Sequence, residues 1–363
     1  MNQFADPPAP PSSAARAFPP PTRILIVAGE ASGDLHGAGL VEALRRLQPR
    51  LCLEGMGGQK MRAAGVTLLA DAGETAVVGL TELWEKRRAL RNALRLLRDH
   101  LRVVRPSLLI CIDFPDFNLL LARTADRLGI PVCYFISPQV WAWRRGRVRT
   151  IRRLVRKMLV LFPFEEALYR MAGVDVSFVG HPLLDVLAEV PSREVCRRVL
   201  GLDGGAPVLG LLPGSRQAEI RRHLPLLLRA AARVRAVHPD LRVVLGLAAG
   251  SDRMAVEAEV QAVPLPVQIV EGQAHEVMRA ADLLLAVSGT VTLEAAILGT
   301  PLVITYRLGT LTWLLARLLV RVRFIGLPNL VAGEGIVPEL IQLTATPERL
   351  AAAALDILAS PGR

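Results

Sequence analysis

Two glycine-punctuated turns, Ala28-Gly29-Glu30-Ala31-Ser32-Gly33-Asp34 and Leu212-Pro213-Gly214-Ser215-Arg216, stand one in each half of the chain, each closing an aliphatic run and opening a helical pattern. A helix N-terminus presents unpaired N–H groups and a partial positive charge, so glycine at such a turn lets an anionic group approach the backbone. The repetition predicts two ligand-gripping α/β halves in one polypeptide. A chain of 363 residues suits two domains, each burying its own core.

The rest of the chain repeats that pattern. Arg23-Ile24-Leu25-Ile26-Val27 reads as a buried strand, with the following helix running through Leu40 to Leu47, and Leu51 to Gly58 again pairs a strand with glycines. Leucines at helical spacing predict a helix over 81–104, its arginines forming a solvated face in preference to a lipid-headgroup surface. Further strands are expected at Leu108 to Ile112, ending at Asp113, at Pro131 to Ile136, ending at Ser137-Pro138-Gln139, and at Met158 to Phe162. Phe178-Val179-Gly180-His181-Pro182 closes the first half. Strands then recur at Val208 to Leu212, Leu241 to Leu247, Val267 to Val270, Leu283 to Val287 and Pro301 to Tyr306, with a helix near Glu348 to Leu358. Continuous apolar runs separated by helices indicate parallel sheets covered on both faces, so a doubly wound α/β architecture is expected twice. Residues 1–22, rich in Pro, Ala and Ser and without an apolar core, are expected to be a disordered leader and not a secretion signal. The expected domains are 23–184 and 185–363.

Charge narrows the partners. There are 44 Lys+Arg against 33 Asp+Glu, a net +11, and nearly all of the excess is arginine, which favours phosphate-bearing ligands or anionic surfaces. A block from Arg144 to Lys157 holds eight positive charges and no acid, facing solvent, lipid phosphate or substrate phosphate. The four cysteines show no metal-ligand spacing and read as reduced thiols in a reducing compartment. No stretch of about 18 uncharged apolar residues occurs, so no spanning helix is predicted. The nearest approach, Leu311 to Leu327, places Trp313, Leu314, Leu315, Leu318 and Leu319 on one face bordered by Arg317, Arg321 and Arg323; it reads equally as an interfacial segment or a core helix with snorkelling arginines.

Several residues carry chemistry. Arg216, directly after a buried strand, is placed to meet a diphosphate with paired hydrogen bonds. Ser288-Gly289-Thr290-Val291-Thr292-Leu293-Glu294 has the form of a strand end, a glycine turn and a helix with hydroxyl caps, whose N–H groups suit phosphate and whose Glu294 suits ribose hydroxyls. Neither turn is a dinucleotide fingerprint and no P-loop occurs, which argues against a dehydrogenase and an ATPase. Six dispersed histidines and unclustered acids argue against a metal site. Asp113, at a strand end before Phe114-Pro115-Asp116-Phe117-Asn118, is the leading general-base candidate, with Asp116 as the alternative or a helix cap and His181 as a second candidate base.

As a set, the Ala28–Asp34 turn, Ile112 to Asn118, Ser137-Pro138-Gln139-Val140-Trp141-Ala142-Trp143-Arg144, the Leu212–Arg216 turn, Ser288 to Glu294 and Leu327-Pro328-Asn329-Leu330 closely resemble the lipid-A-disaccharide synthase family, inverting GT-B glycosyltransferases of Gram-negative bacteria. The likeness runs over nearly the whole chain from Arg23, and its tryptophan-rich run is highly specific. It implies two Rossmann-like domains with a cleft between them. It also implies transfer from UDP-2,3-diacylglucosamine to 2,3-diacylglucosamine 1-phosphate (lipid X), giving a β-1,6-linked disaccharide 1-phosphate and UDP without a metal or redox cofactor. In that reading Asp113 deprotonates the acceptor 6-hydroxyl, and Arg216 with the helix at Ser288, Gly289 and Thr290 offsets charge on departing UDP. By the same resemblance Ser32, Gly33 and Asp34 line the acceptor side, while Glu294, Tyr306 and Asn329 lie near the nucleotide. Acylated, phosphorylated substrates imply peripheral attachment to an anionic membrane, at the cytoplasmic face of the inner membrane, through Leu311 to Phe324 and the basic block. No nucleic-acid partner is implied. Family members usually carry a further C-terminal helix, so the ending at Arg363 leaves open both a return of the last helix to the first domain and a homodimer. The rival expectations are a UDP-N-acetylglucosamine 2-epimerase or other GT-B enzyme, and a non-catalytic basic protein that coats lipid or nucleic acid.

Overall fold

A computed structural model describes residues 22–72, 82–140, 146–202, 204–309, 312–314, 317 and 323–360. The expected leader up to residue 21, Trp141, Trp143 and most of the 311–322 stretch lie outside the described residues.

The first sheet has seven strands, β1 (Arg23–Ala28), β2 (Cys52–Gly57), β3 (Thr67–Asp71), β4 (Leu108–Ile112), β5 (Val132–Phe135), β6 (Lys157–Val160) and β7 (Val176–Phe178), in the order β3-β2-β1-β4-β5-β6-β7. Ile24 pairs in parallel with Leu53 on one side and Leu108 on the other, so the strand order reverses between β1 and β4. The crevice outside the carboxyl ends of two such strands is where open α/β sheets hold ligands. Leu25, Ile26 and Val27 are wholly buried, as strands covered on both faces must be. The covering helices are α1 (Ala31–Leu47), α2 (Gln59–Ala63), α3 (Glu82–Val104), α4 (Pro115–Arg127), α5 (Arg147–Leu154) and α6 (Pro163–Met171).

Two short helices, α7 (Leu183–Ala188) and α8 (Arg193–Val199), lead to a second, six-stranded sheet. Its strands are β8 (Val208–Leu212), β9 (Arg242–Leu247), β10 (Val267–Glu271), β11 (Leu283–Val287), β12 (Leu302–Tyr306) and β13 (Glu339–Ile341), in the order β10-β9-β8-β11-β12-β13. The reversal falls between β8 and β11. Alternating residues supply two separate cores: Leu209, Leu211, Leu245 and Leu285 pack with α9 (Gln217–Val237) and α14 (Pro347–Leu358), whereas Val208, Leu212, Val244 and Leu284 pack with α7, α8, α11 (Ala274–Ala280) and α12 (Thr290–Ile297). Each fully buried leucine contributes about 1.5–3 kcal/mol. The remaining helices are α10 (Arg253–Gln261) and α13 (Leu327–Ala332). By contacts the chain divides into two units, Met1–Pro138 with Arg153–Lys157, and Gln139–Arg152 with Met158–Arg363.

Two local features differ from expectation. The strand expected to reach Phe162 stops at Val160, because Pro163 opens α6 and the Glu165 carboxylate accepts the Phe162 N–H at 3.2 Å. Edge strands β3 and β13 were not expected, since neither contains the continuous apolar run of an interior strand. The cysteines are free thiols, with Cys111 and Cys196 buried.

Candidate active site

At the carboxyl end of β4 the backbone turns through two consecutive left-handed residues, Asp113 at φ 44° and Phe114 at φ 48°. Aspartate tolerates this region; phenylalanine does so rarely, and such strain persists only where neighbours over-determine it. Here the neighbours are identifiable. Asn118, fully buried one turn into α4, donates from Nδ2 to the carbonyls of Asp113 at 2.8 Å, Ile112 at 3.2 Å and Val27 at 3.4 Å, tying the ends of β1 and β4 together. The Tyr134 hydroxyl donates to the Asp113 carbonyl at 2.6 Å, and the Asp113 N–H donates to Phe135 at 3.0 Å. Phe114 stacks on Phe117 with centroids 5.3 Å apart, and its ring occupies the space above Gly29, where a Cβ would come within 2.1 Å of it.

The carboxyl of Asp113 is pushed up to about 6, chiefly by burial and then by the nearby Glu30 carboxylate, against the pull of the Phe114 N–H. A carboxylate poised there removes a hydroxyl proton far better than an exposed one. Asp116, by contrast, is exposed in the first turn of α4, where its charge suits the helix dipole. His181 accepts the Leu183 N–H at 3.2 Å through Nδ1 and packs against Phe162, so its place is at the start of α7.

The turn after β1 differs from the expected anion grip. Ser32 is exposed and Gly33 buried in the first turn of α1, and the Asp34 carboxylate turns inward. It accepts the N–H groups of Gly58 at 2.7 Å, Lys60 at 3.0 Å and Met61 at 3.0 Å, satisfying donors that the start of α2 leaves unpaired. Asp34 therefore braces the turn from behind and does not project from it.

In the second unit three neighbouring strand ends carry the expected nucleotide residues. Arg216 follows β8 and is the extended N-cap of α9; its side chain is 76% exposed and meets Glu219 at 3.2 Å. Gly214 adopts φ +106°, and a Cβ there would lie 2.8 Å from the Glu219 carboxylate, so this turn requires glycine. Ser288 and Gly289 follow β11. Gly289 caps α12 in extended backbone without a side-chain hydrogen bond, and the space beside it is open. The expected hydroxyl caps are not formed, because Ser288 donates to the Ile325 carbonyl at 3.1 Å and Thr292 donates back to Gly289 at 2.8 Å. The first turn of α12, starting at Thr290, thus keeps no side chain over its amides.

Tyr306 ends β12. Its ring stacks at 5.3 Å on His223, and its phenol is raised by burial and then by Glu219, against Arg216 and Arg222. His223 is buried and neutral: Nδ1–H donates to the Glu219 carbonyl at 2.8 Å, Nε2 accepts the Arg307 N–H at 2.9 Å, and burial lowers its pKa. Glu294 pairs at 3.1 Å with His275, whose pKa the hydrogen bond raises.

Asn329, expected near the nucleotide, turns its side chain into the fold. It is 1% exposed; its Nδ2 donates to Val337 at 2.9 Å and Glu339 at 2.8 Å, and its Oδ1 accepts from Val337 at 2.9 Å. Glu339 also accepts the N–H groups of Ile325 and Gly326, each at 3.0 Å. Together they fix the segment that receives the Ser288 hydroxyl. Sequence position alone assigns no part to Asn118, Tyr134, His223, His275 or Glu339. Only the hydrophilic Asn118 inside an otherwise apolar helical pattern gave a local sequence cue.

A family model described as lipid-A-disaccharide synthetase (LpxB) matches residues 24–361. The lipid-A-disaccharide synthase of Syntrophus aciditrophicus is 49% identical over 341 residues, covering 94% of this chain and 89% of its own, and that of Geobacter sulfurreducens is 49% identical over 330 residues, covering 91% and 86%. Among solved structures, the UDP-GlcNAc 2-epimerase of Neisseria meningitidis is similar at TM-score 0.65 and 13% identity, covering 93% of this chain and 92% of its own. MurG of Acinetobacter baumannii is similar at TM-score 0.56 and 14% identity, covering 93% and 91%. These structural likenesses support the fold, two parallel α/β sheets of the GT-B kind, and at such identity carry no activity. The sequence matches decide against both the epimerase and the non-catalytic alternatives: this chain belongs to the lipid-A-disaccharide synthase family, glycosyltransferases of lipid A biosynthesis.

Proposed function

We propose that the chain transfers a 2,3-diacylglucosamine unit from its UDP derivative to the 6-hydroxyl of 2,3-diacylglucosamine 1-phosphate, inverting the anomeric carbon to give a β-1,6 linkage and UDP. The observation that carries this is the half-buried carboxyl of Asp113, pushed up to about 6 and held in strained backbone at the strand-order reversal of the first sheet. Asp113 accepts the hydroxyl proton as the acceptor oxygen forms its bond to C1 of the donor and the C1–O bond to UDP breaks. Asn118 and Tyr134 act as positioning residues through the Asp113 carbonyl. Ser32 and Gly33 line the acceptor side, with Asp34 bracing them.

UDP is held in this reading at the second sheet. Arg216 and the first-turn amides of α12, at Gly289 and Thr290, accept the negative charge that builds on the leaving diphosphate. Tyr306 and Glu294 flank the nucleoside, while Ser288, Asn329 and Glu339 hold the wall in place. The enzyme works at the cytoplasmic face of the inner membrane, attached peripherally through the 311–324 segment and the basic block. Among the described residues no helix is long and apolar enough to cross a membrane.

The test is product analysis with both acylated monosaccharides, comparing wild type with Asp113→Asn and Asp116→Asn. Disaccharide 1-phosphate and UDP in equal amounts from wild type and Asp116→Asn, with turnover lost in Asp113→Asn, is the expected result. Equal activity in all three removes the base assignment.

A further inference from the structure

Away from both strand ends, α3 and α4 build a basic groove that the reaction leaves unexplained. Arg88, Arg91, Arg95, Arg98 and Arg102 recur at intervals of three and four along α3, which aligns them on one strip of that helix. Leu120, Arg123, Thr124 and Arg127 recur likewise on α4. Between the helices lies a cavity of about 200 Å³ lined by Arg98, Arg102, Leu120, Arg123, Thr124 and Arg127.

Its cations are poorly compensated. Arg102 meets Asp99 at 2.7 Å on the exposed side. Arg98 reaches the Leu120 carbonyl only at 3.5 Å, and its Nε is buried with no hydrogen-bond partner. Arg123 and Arg127 are exposed. Guanidinium groups gathered around so small a space repel one another unless an anion shares it, and tetrahedral phosphate oxygens accept their paired N–H donors well. The surroundings select among phosphates. Leu120 is 39% exposed in the lining itself. A free anion gains nothing from such a neighbour; a lipid can lay its glycerol and the start of a chain against it.

We propose that this groove seats the headgroup phosphate of an anionic glycerophospholipid. It refines the peripheral attachment proposed above by naming a lipid contact, and the groove can be read independently of the 311–324 segment and the basic block. The experiment is co-sedimentation of the full chain with vesicles of phosphatidylcholine alone or mixed with phosphatidylglycerol, at low salt. Wild type is expected to bind the mixed vesicles and not the neutral ones. Arg123→Gln/Arg127→Gln is expected to bind about 30-fold more weakly, whereas Arg46→Gln/Arg229→Gln, which removes the same charge from exposed positions elsewhere, loses no more than about threefold. Should the first double variant fail to fold by circular dichroism, Arg123→Gln alone is expected to lose about fivefold. Turnover on detergent-dispersed substrates stays at the wild-type level in both doubles. Undiminished vesicle binding by Arg123→Gln/Arg127→Gln, equal losses in the two doubles, or absence of wild-type binding to mixed vesicles overturns the proposal. Inorganic phosphate is titrated separately by thermal shift: stabilisation by phosphate without vesicle binding assigns the groove to a free anion and overturns the lipid reading.

Discussion

The two sheets reverse their strand order at equivalent places, yet the chemistry standing there is opposite in kind. After β4, Asp113 is largely buried, its backbone is left-handed, and its carboxyl is held near neutrality by lost solvation and by Glu30. After β8 and β11, Arg216 is mostly exposed, Gly289 is extended beside open space, and α12 has no side-chain cap. A proton acceptor gains reactivity when water is withdrawn from it, whereas a seat for a diphosphate needs unfilled donors that the ligand can reach. In the proposed reading, one architecture serves two tasks by varying solvation and strain at a single topological point.

The sharpest way to break that contrast is Asp113→Asn, because asparagine also tolerates left-handed backbone and preserves the fold. Turnover measured by UDP release should fall about 1,000-fold, with UDP affinity unchanged; retained turnover would falsify the base assignment. The pH dependence follows from the same shift. Wild-type kcat/KM should drop as one proton is taken up below pH about 6. Because the folded-state pKa is raised, the stabilising contribution of Asp113 is fully present only below its ordinary value of 3.8 and is lost as pH rises through about 6. At pH about 8 the ionised group costs the fold about 3 kcal/mol, so the asparagine variant should resist urea better than wild type there and lose that advantage in acid.

Next in size is Arg216→Ala. Loss of charge-assisted hydrogen bonds worth about 1.5–3 kcal/mol should weaken UDP binding by about 10- to 100-fold in calorimetry, without a change in Tm, since the side chain is exposed. Unaltered affinity would detach the diphosphate from this turn. Asn118→Ala tests the strain on the other side. It should cost about 1–3 kcal/mol of stability and lower kcat while sparing UDP affinity, and the acid limb of the rate profile should move downward as Asp113 relaxes toward water. A stability loss with an unmoved profile would make Asn118 a packing residue only.

Glu294→Gln should have the smallest effect. His275 is raised by its bond to Glu294, so the pair stabilises the fold in full below the unfolded value of 6.5 and less as pH rises through the raised folded one. The substitution should lower the His275 pKa in NMR titration and change unfolding free energy by less than about 0.5 kcal/mol. An unchanged His275 titration would separate the two residues.

Interior strands were legible because a strand covered on both faces must be an unbroken apolar run: β8 at Val208–Leu212 and β11 at Leu283–Val287 match their expected limits. The edge strand β13 was not, unlike the edge strand β10, since at Glu339–Ile341 it is short and partly polar, and its defining glutamate acts through tertiary contacts on Ile325, Gly326 and Asn329. At the candidate site, residue type and position single out Asp113, Arg216 and the Ser288 turn, and the structure places each just after a strand's carboxyl end. Side-chain direction was illegible. Asp34 and Asn329 have the composition of ligand contacts but point into the fold, toward backbone donors and acceptors brought near only by tertiary structure.

The ring of Phe114 lying over Gly29 couples these two positions sterically. Any side chain at 29 evicts the aromatic, and with it the left-handed corner that carries the neighbouring carboxylate. Enlargement at 29 is therefore expected to be tolerated only with reduction at 114, so a library that randomises both together should yield folded variants that single substitutions at 29 do not.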